Sequence, residues 1–245
     1  MNLKPCRSSG NTVNLKWKDS NVEHLKKWVT HIIGRTYKPW LQHYLSRSRS
    51  YAYRGMTLTV PQSVFHPGFF FSTRYLLRKL VSLPLNRKKF LELGAGSGLI
   101  SIEAARQGAI VTATDINPAS VECIRLNSLH NQQAIRIVEA DLFEGLEPEA
   151  FDVVAINPPY YKKHPLTAAD LAWYCGERGE YFDRLFKGLR PFMHQHSEVL
   201  MVLCEGCDLS MIKAMAASQG FTMSCLQEKT HMLEKNFIFK IIPVS

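Results

Sequence analysis

Four short stretches of this chain put an acid or an amide at the end of an apolar run. They are Glu92 in "FLELGAGSGLI", Asp115 in "TATDINP", Asp141 in "VEADLFEGL" and Asn157 in "FDVVAINPPY". In the first, Gly94, Gly96 and Gly98 follow the acid. They let backbone approach a bulky ligand where side chains would collide with it. A pyrophosphate wants N–H donors at a helix start and tolerates no nearby anion. Glu92 therefore argues against a dinucleotide and for a ligand with a cationic end.

The amino-acid part of S-adenosylmethionine is such an end. Asp115 stands 19 positions after Gly96, where an acid at a second strand end can accept hydrogen bonds from both hydroxyls of a ribose. Capping a helix is the other job for an Asp there, but Asn117 followed by Pro118 already supplies a cap. Asp141 could accept from the exocyclic amine of an adenine whose ring is flanked by Leu142 and Phe143. At the fourth strand end, Pro158 and Pro159 remove two backbone donors and fix the chain. The Pro158 carbonyl and the Asn157 side-chain oxygen then offer two acceptors to a planar NH2 group. Tyr160 adds an aromatic face that suits both the planar acceptor and an electron-poor methyl sulfonium. Such a site orients and desolvates a weakly basic nitrogen and needs no strong base. A simple turn is the other reading of "NPPY".

Elements must bring these four ends together. From Lys89 onward, β-rich runs alternate with helical ones: strands near 89–93, 110–114, 134–139, 151–156 and 198–204, and helices near 97–107, 118–130, 177–189 and 208–219. "FTMSCLQEKT" and "NFIFKIIPV" then follow each other as strands with no helix between them, so the last is expected to run antiparallel. The fold class is α/β: a Rossmann-like, seven-stranded, mostly parallel sheet with one antiparallel strand and helices on both faces. Ahead of it, "STRYLLRKLVSL" reads as a helix, and "YAYRGMTLTV" as a hairpin turning at Arg54-Gly55. "SRSRS" at 46–50 reads as a linker. "SNVEHLKKWVTHIIG" reads as an amphipathic helix with a Ser20/Glu23 capping box, and Pro39 as the start of a second helix.

The sequence holds 30 Lys+Arg against 21 Asp+Glu, a formal net charge of +9, which makes RNA, DNA or the ribosome a plausible partner. Six cysteines stand at 6, 123, 175, 204, 207 and 225 without regular spacing, so no disulfide framework is expected. Cys204 and Cys207 form a CxxC with no second pair, which reads as a strand end and its turn and gives no metal site. No apolar run approaches the ~18 residues of a membrane helix, and the N-terminus has no apolar signal core. The expectation is a cytoplasmic protein without a membrane partner.

Taken in order, "ELGAGSG", "TDINP", "EADLF" and "NPPY" resemble the motifs of class I S-adenosylmethionine-dependent methyltransferases, over roughly Ser50 to Ser245. That resemblance implies S-adenosylmethionine as cofactor, held by Glu92, Gly94, Ala95, Gly96, Gly98, Asp115, Ile116, Asp141, Leu142 and Asn157, with Asn157, Pro158, Pro159 and Tyr160 at the acceptor. It divides the chain into a helical and β-hairpin extension, 1–62, and a methyltransferase domain, 63–245. The hairpin, "DLFEGL" and "WYCGERGEYFDRLF" are similar to the HemK/PrmC family, the release-factor glutamine N5-methyltransferases, which implies a protein glutamine as acceptor. Where that family has Pro-Arg-Pro-Glu-Thr, this chain has "HPGFFFST", so Phe69, Phe70 and Phe71 could stack a base, cover the cofactor or simply pack in the core. RNA or DNA methyltransferases acting on guanine N2 or adenine N6 share the remaining motifs. Lys162, Lys163 and His164 follow "NPPY" where a substrate loop would meet phosphates or an acidic protein. A non-catalytic, basic RNA- or ribosome-associated module and a dehydrogenase are the competing classes.

Overall fold

The computed structural model describes residues 47–68, 71–167 and 170–244, and residues 47–245 form one compact unit. The helices expected from Ser20 and from Pro39 lie outside the described residues. A seven-stranded sheet is laid in the order β5-β4-β3-β6-β7-β9-β8. Its strands are β3 (Lys89–Leu93), β4 (Ile110–Asp115), β5 (Ile135–Glu139), β6 (Phe151–Ile156), β7 (Met193–Cys204), β8 (Phe221–His231) and β9 (Glu234–Pro243). All run parallel except β9, which pairs antiparallel with both β7 and β8.

Period-two alternation sends neighbouring residues to opposite faces. Phe90, Val153, Ala155, Leu200 and Val202 pack with helices α1 (Phe71–Leu80), α2 (Leu99–Arg106) and α3 (Pro118–His130). Leu91, Val154, Ile156, Val199 and Met201 pack beneath α4 (Glu180–Leu189) and α5 (Leu209–Ser218). Helix α4 contributes Phe182, Leu185, Phe186 and Leu189, the spacing that puts four side chains on one stripe. It starts later than the periodicity suggests because Gly176 (φ 92°) and Gly179 (φ 81°) hold the preceding chain in the left-handed region. Among the described residues no helix is long and apolar enough to cross a membrane.

The hairpin is present as β1 (Arg49–Tyr53) and β2 (Met56–Val60). Arg49 and Ser50, read as linker, already belong to β1. Met56, Leu58 and Val60 are buried. Asn127 of α3 and Asn131, the residue that caps its C-terminus, treat the other edge of β2 as a strand would. Asn131 Oδ1 accepts from the Thr57 N–H at 3.2 Å and its Nδ2 donates to the Thr57 carbonyl at 2.9 Å. Asn127 Oδ1 accepts from the Thr59 N–H at 2.8 Å, while its Nδ2 donates to the Thr59 and Ser97 carbonyls at 3.2 and 3.0 Å. Asn127 thus ties the hairpin to both α3 and the glycine-rich loop. Because Asn127 is buried, Asn127→Leu leaves several polar partners unmet. Urea unfolding is expected to show a loss of about 2–4 kcal/mol, against about 1 or less for the exposed pair removed by Asn131→Ala.

Candidate active site

Strand order reverses at β3, whose neighbours β4 and β6 lead their chains to opposite faces. A ligand crevice opens there, beyond the carboxyl ends of the strands. A cavity of about 450 Å3 occupies this place, within the usual range for small-molecule sites. It brings together Glu92, Gly94, Ala95, Gly96, Asp115, Ile116, Asp141, Leu142, Asn157, Pro158, Pro159 and Tyr160. Gly98 does not line it: at φ 79° it starts α2, and a Cβ there would meet Ile124 at 3.2 Å, so its bareness serves helix packing.

Gly94 and Gly96 have φ of 68° and 55°, a region that L side chains rarely adopt. Their turn carries the Gly96 N–H to Asp115 Oδ2 at 2.8 Å. Asp115 Oδ1 accepts the Asn117 N–H at 2.9 Å, and the Asn117 side chain caps α3 by accepting from Ala119 N–H at 3.0 Å. Burial nonetheless pushes the Asp115 carboxyl up from its ordinary value. Glu92 is buried on the α2 side of the sheet and accepts from the Ser101 hydroxyl. Desolvation dominates there, and the Glu92 pKa rises to about 8.

At the third strand end, Asp141 pairs with Arg184 of α4. At the fourth, Asn157 Nδ2 donates to Thr73 Oγ1 of α1 at 3.1 Å, and Asn157 Oδ1 accepts from the Tyr160 hydroxyl. The sequence leaves that oxygen to an incoming group, but one lone pair is already engaged within the motif. Burial holds the Tyr160 phenol well above its usual pKa, so it stays protonated and donates. The Trp173 carbonyl accepts from both the Tyr160 and Tyr161 N–H groups, at 3.0 and 2.9 Å, clamping the chain that leaves the motif. The Trp173 ring meets Phe65, a cavity residue from the chain after β2, at 5.3 Å.

Thr73, Phe65, Trp173 and Arg184 are not among the site residues expected from the sequence, although Trp173 and Arg184 stand in "WYCGERGEYFDRLF", a segment whose family likeness could have pointed to them. Each acts through a partner far along the chain, 84 residues away for Thr73. Of the basic trio after the motif, His164 lines the cavity. Lys162 is paired with Asp208, and Lys163 lies 4.9 Å over the Tyr174 ring. Phe69 and Phe70 lie outside the described residues. Phe71 stacks on His231 at 4.4 Å and on Tyr75 at 5.2 Å, and it is not a cavity residue.

The family model described as the methyltransferase small domain matches residues 56–174, from the start of β2 to the loop clamping the Asn-Pro-Pro-Tyr turn. Over that span the chain is similar to the methyltransferase small domain. A provisionally named protein N5-glutamine methyltransferase of Methanocaldococcus jannaschii is 38% identical over 107 residues, 43% of this chain and 52% of that relative. The chain thus spans about half the length of that curated relative. A chain of the E. cuniculi Mtq2–Trm112 complex, described as responsible for methylation of the eRF1 translation termination factor, is 25% identical. The match covers 75% of this chain and 99% of that one at a TM-score of 0.58. The T. thermophilus 16S rRNA N2 G1207 methyltransferase RsmC, solved with AdoMet and guanosine, shares the methyltransferase fold at 20% identity. That match covers 79% of this chain and 50% of the other at a TM-score of 0.55.

The raised Glu92 pKa has a consequence for stability. A carboxyl with ordinary value 4.5 held near 8 in the fold makes the native protein bind more protons than the unfolded chain between those values. Stability is then present in full below about pH 4.5 and is lost as pH rises toward 8. Urea midpoints of the ligand-free protein are expected to fall from pH 5 to 8 more steeply for wild type than for Glu92→Gln; parallel curves would exclude the buried acid as the cause.

Proposed function

We propose that this chain is an S-adenosylmethionine-dependent N-methyltransferase whose acceptor is the side-chain amide of a protein glutamine. The observation that carries the reading is the Asn157 carboxamide, fixed on one side by Thr73 and on the other by Tyr160, at the edge of a cavity walled by buried acids. The cavity suits the donor. Glu92 and Asp115 give a buried acidic wall, in which Glu92 would ionise as a cationic amino-acid end enters and Asp115 would meet a ribose, and the positive-φ turn at Gly94 and Gly96 leaves backbone bare beside it. Asp141, Ile116 and Leu142 would bound an adenine. Bound S-adenosylmethionine supplies an electrophilic methyl group on a sulfonium centre.

An amide nitrogen is a poor nucleophile because its lone pair is spread into the carbonyl. Two acceptors in its plane, Asn157 Oδ1 and the Pro158 carbonyl, would hold its hydrogens and leave the lone pair perpendicular to that plane, aimed at the methyl. Asn157 presents its oxygen because Thr73 takes the amide nitrogen and the Tyr160 O–H takes one lone pair of the oxygen. The Tyr160 ring gives the acceptor a flat, water-free surface. Once methylated, the nitrogen sheds its proton to water, so no strong base is required. The relatives' names support a protein glutamine. A nucleic-acid base is the second reading, favoured by the net charge of +9; the engagement of Lys162 and Lys163 by Asp208 and Tyr174 weighs against a phosphate track at the mouth.

Labelled methyl donor incubated with cell extract is expected to label material erased by protease and kept through ribonuclease; the reverse pattern would move the acceptor to RNA. Asn157→Ala is expected to lower kcat by on the order of 10²-fold or more, with S-adenosylmethionine affinity near wild type by calorimetry. Thr73→Val, which keeps the shape and loses the acceptor for Asn157 Nδ2, should lower kcat by up to about tenfold, while Thr73→Ser retains activity. Equal losses in Thr73→Ser and Thr73→Val would assign Thr73 to packing alone.

A further inference from the structure

Behind the acceptor turn lies a pair of sulfurs that methyl transfer does not use. Strand β7 runs beside β6 in parallel and ends at Cys204, and Cys207 lies in the turn before α5. Their Sγ atoms are 3.6 Å apart, and the Cys204 N–H donates to Cys207 Sγ at 3.3 Å. Both thiols are buried, yet Glu205 and Gly206 between them are exposed, so only one turn of chain separates the sulfurs from water. The pair belongs to the apolar cluster against which Tyr160 packs. A Cβ built on Gly206 would stand 3.7 Å from Cys204 Sγ and 4.0 Å from the Tyr161 ring. The sulfurs therefore adjoin the two tyrosines that the Trp173 carbonyl clamps.

We propose that Cys204 and Cys207 are a peroxide-responsive redox site, closing to an intramolecular disulfide that disturbs the acceptor wall and slows methyl transfer. The hydrogen bond from Cys204 holds the Cys207 thiol below its ordinary pKa and pushes Cys204 up, which makes Cys207 the attacking sulfur. Its thiolate attacks hydrogen peroxide; the O–O bond breaks, hydroxide leaves and Cys207 carries a sulfenic acid. Cys204 sulfur then displaces that hydroxyl, which leaves as water as the Cys204 proton is released, and the S–S bond forms. Two thiols and one peroxide become one disulfide and two waters. A small oxidant is the class that fits, because a bulky disulfide could not reach sulfurs at 3% and 7% exposure. Closing from 3.6 Å to about 2.05 Å shortens the sulfur–sulfur separation by about 1.5 Å beside the Tyr160 and Tyr161 packing, and a shift of about 1 Å passed on to a reacting centre can cost on the order of 10²-fold.

The experiment treats the full chain with hydrogen peroxide, then unfolds it in iodoacetamide and maps the peptides. Cys204 and Cys207 are expected to lose at least about tenfold of their alkylation and to appear as one bridged peptide that dithiothreitol restores. In Cys207→Ser, Cys204 should remain alkylated. Full alkylation of both residues in wild type, at a peroxide dose that oxidises exposed Cys225, would overturn the redox site, and that readout needs no variant to fold. The effect on turnover rests on the methyl-transfer reading above. Oxidised protein is expected to turn over severalfold more slowly at unchanged S-adenosylmethionine affinity; equal rates would overturn the coupling. A reduced protein that transfers no methyl group would instead count against the proposed function, and the alkylation map would still decide the redox site.

Discussion

The Asp115 carboxylate is the joint on which the site depends. One oxygen holds the Gly96 N–H and the other the Asn117 N–H, so a single buried acid locks the turn after β3 to the turn after β4. Those turns lead from adjacent strands into two helices of the same layer, α2 and α3, and without a tie the rim of the crevice they form would have no fixed geometry. A carboxylate serves better than a neutral amide because it accepts at both ends and keeps further lone pairs for a ligand. The left-handed turn at Gly94 and Gly96 exists to bring that N–H into reach.

Holding acids in a dry cleft has a cost. Burial raises both Glu92 and Asp115 above their ordinary values, which means the ligand-free fold resists their ionisation. A cationic ligand relieves that cost when it enters, so part of the strain becomes selectivity for positive charge. The remedy within the protein is partial: the Ser101 hydroxyl satisfies one oxygen of Glu92 without neutralising it. Sites with displaced pKa values in a concave pocket commonly mark function, and here the displaced groups stand on neighbouring strands, β3 and β4.

A second tier of contacts aligns the acceptor side. Helix α1 and the chain between β2 and α1 precede the sheet yet supply Thr73 and Phe65 to the crevice that the later strands open. Asn127 fastens the hairpin to α3 and to the Ser97 carbonyl of the glycine-rich loop. Across the cavity, the segment through Trp173 folds back on the Asn-Pro-Pro-Tyr turn and carries its ring to Phe65. Both walls are therefore built by backbone hydrogen bonds and buried amides, which keep geometry better than mobile charged side chains.

The strand and helix periods, the Asn117-Pro118 cap and the alignment of four polar residues at four strand ends could be read without coordinates. Each of these is encoded within a few residues, by alternation of two or spacing of three and four along the chain. Helix starts were read too early at 97 and 177 because Gly98 and Gly179 hold positive φ, a backbone state that composition alone does not specify. Only the tertiary structure decided that Thr73 orients Asn157, that Tyr160 occupies part of its oxygen, that Arg184 answers Asp141 and that Gly98 serves packing. Those choices join residues many positions apart, and close packing selects such partners by shape and distance once the sheet has formed. No local pattern in the sequence carries that information.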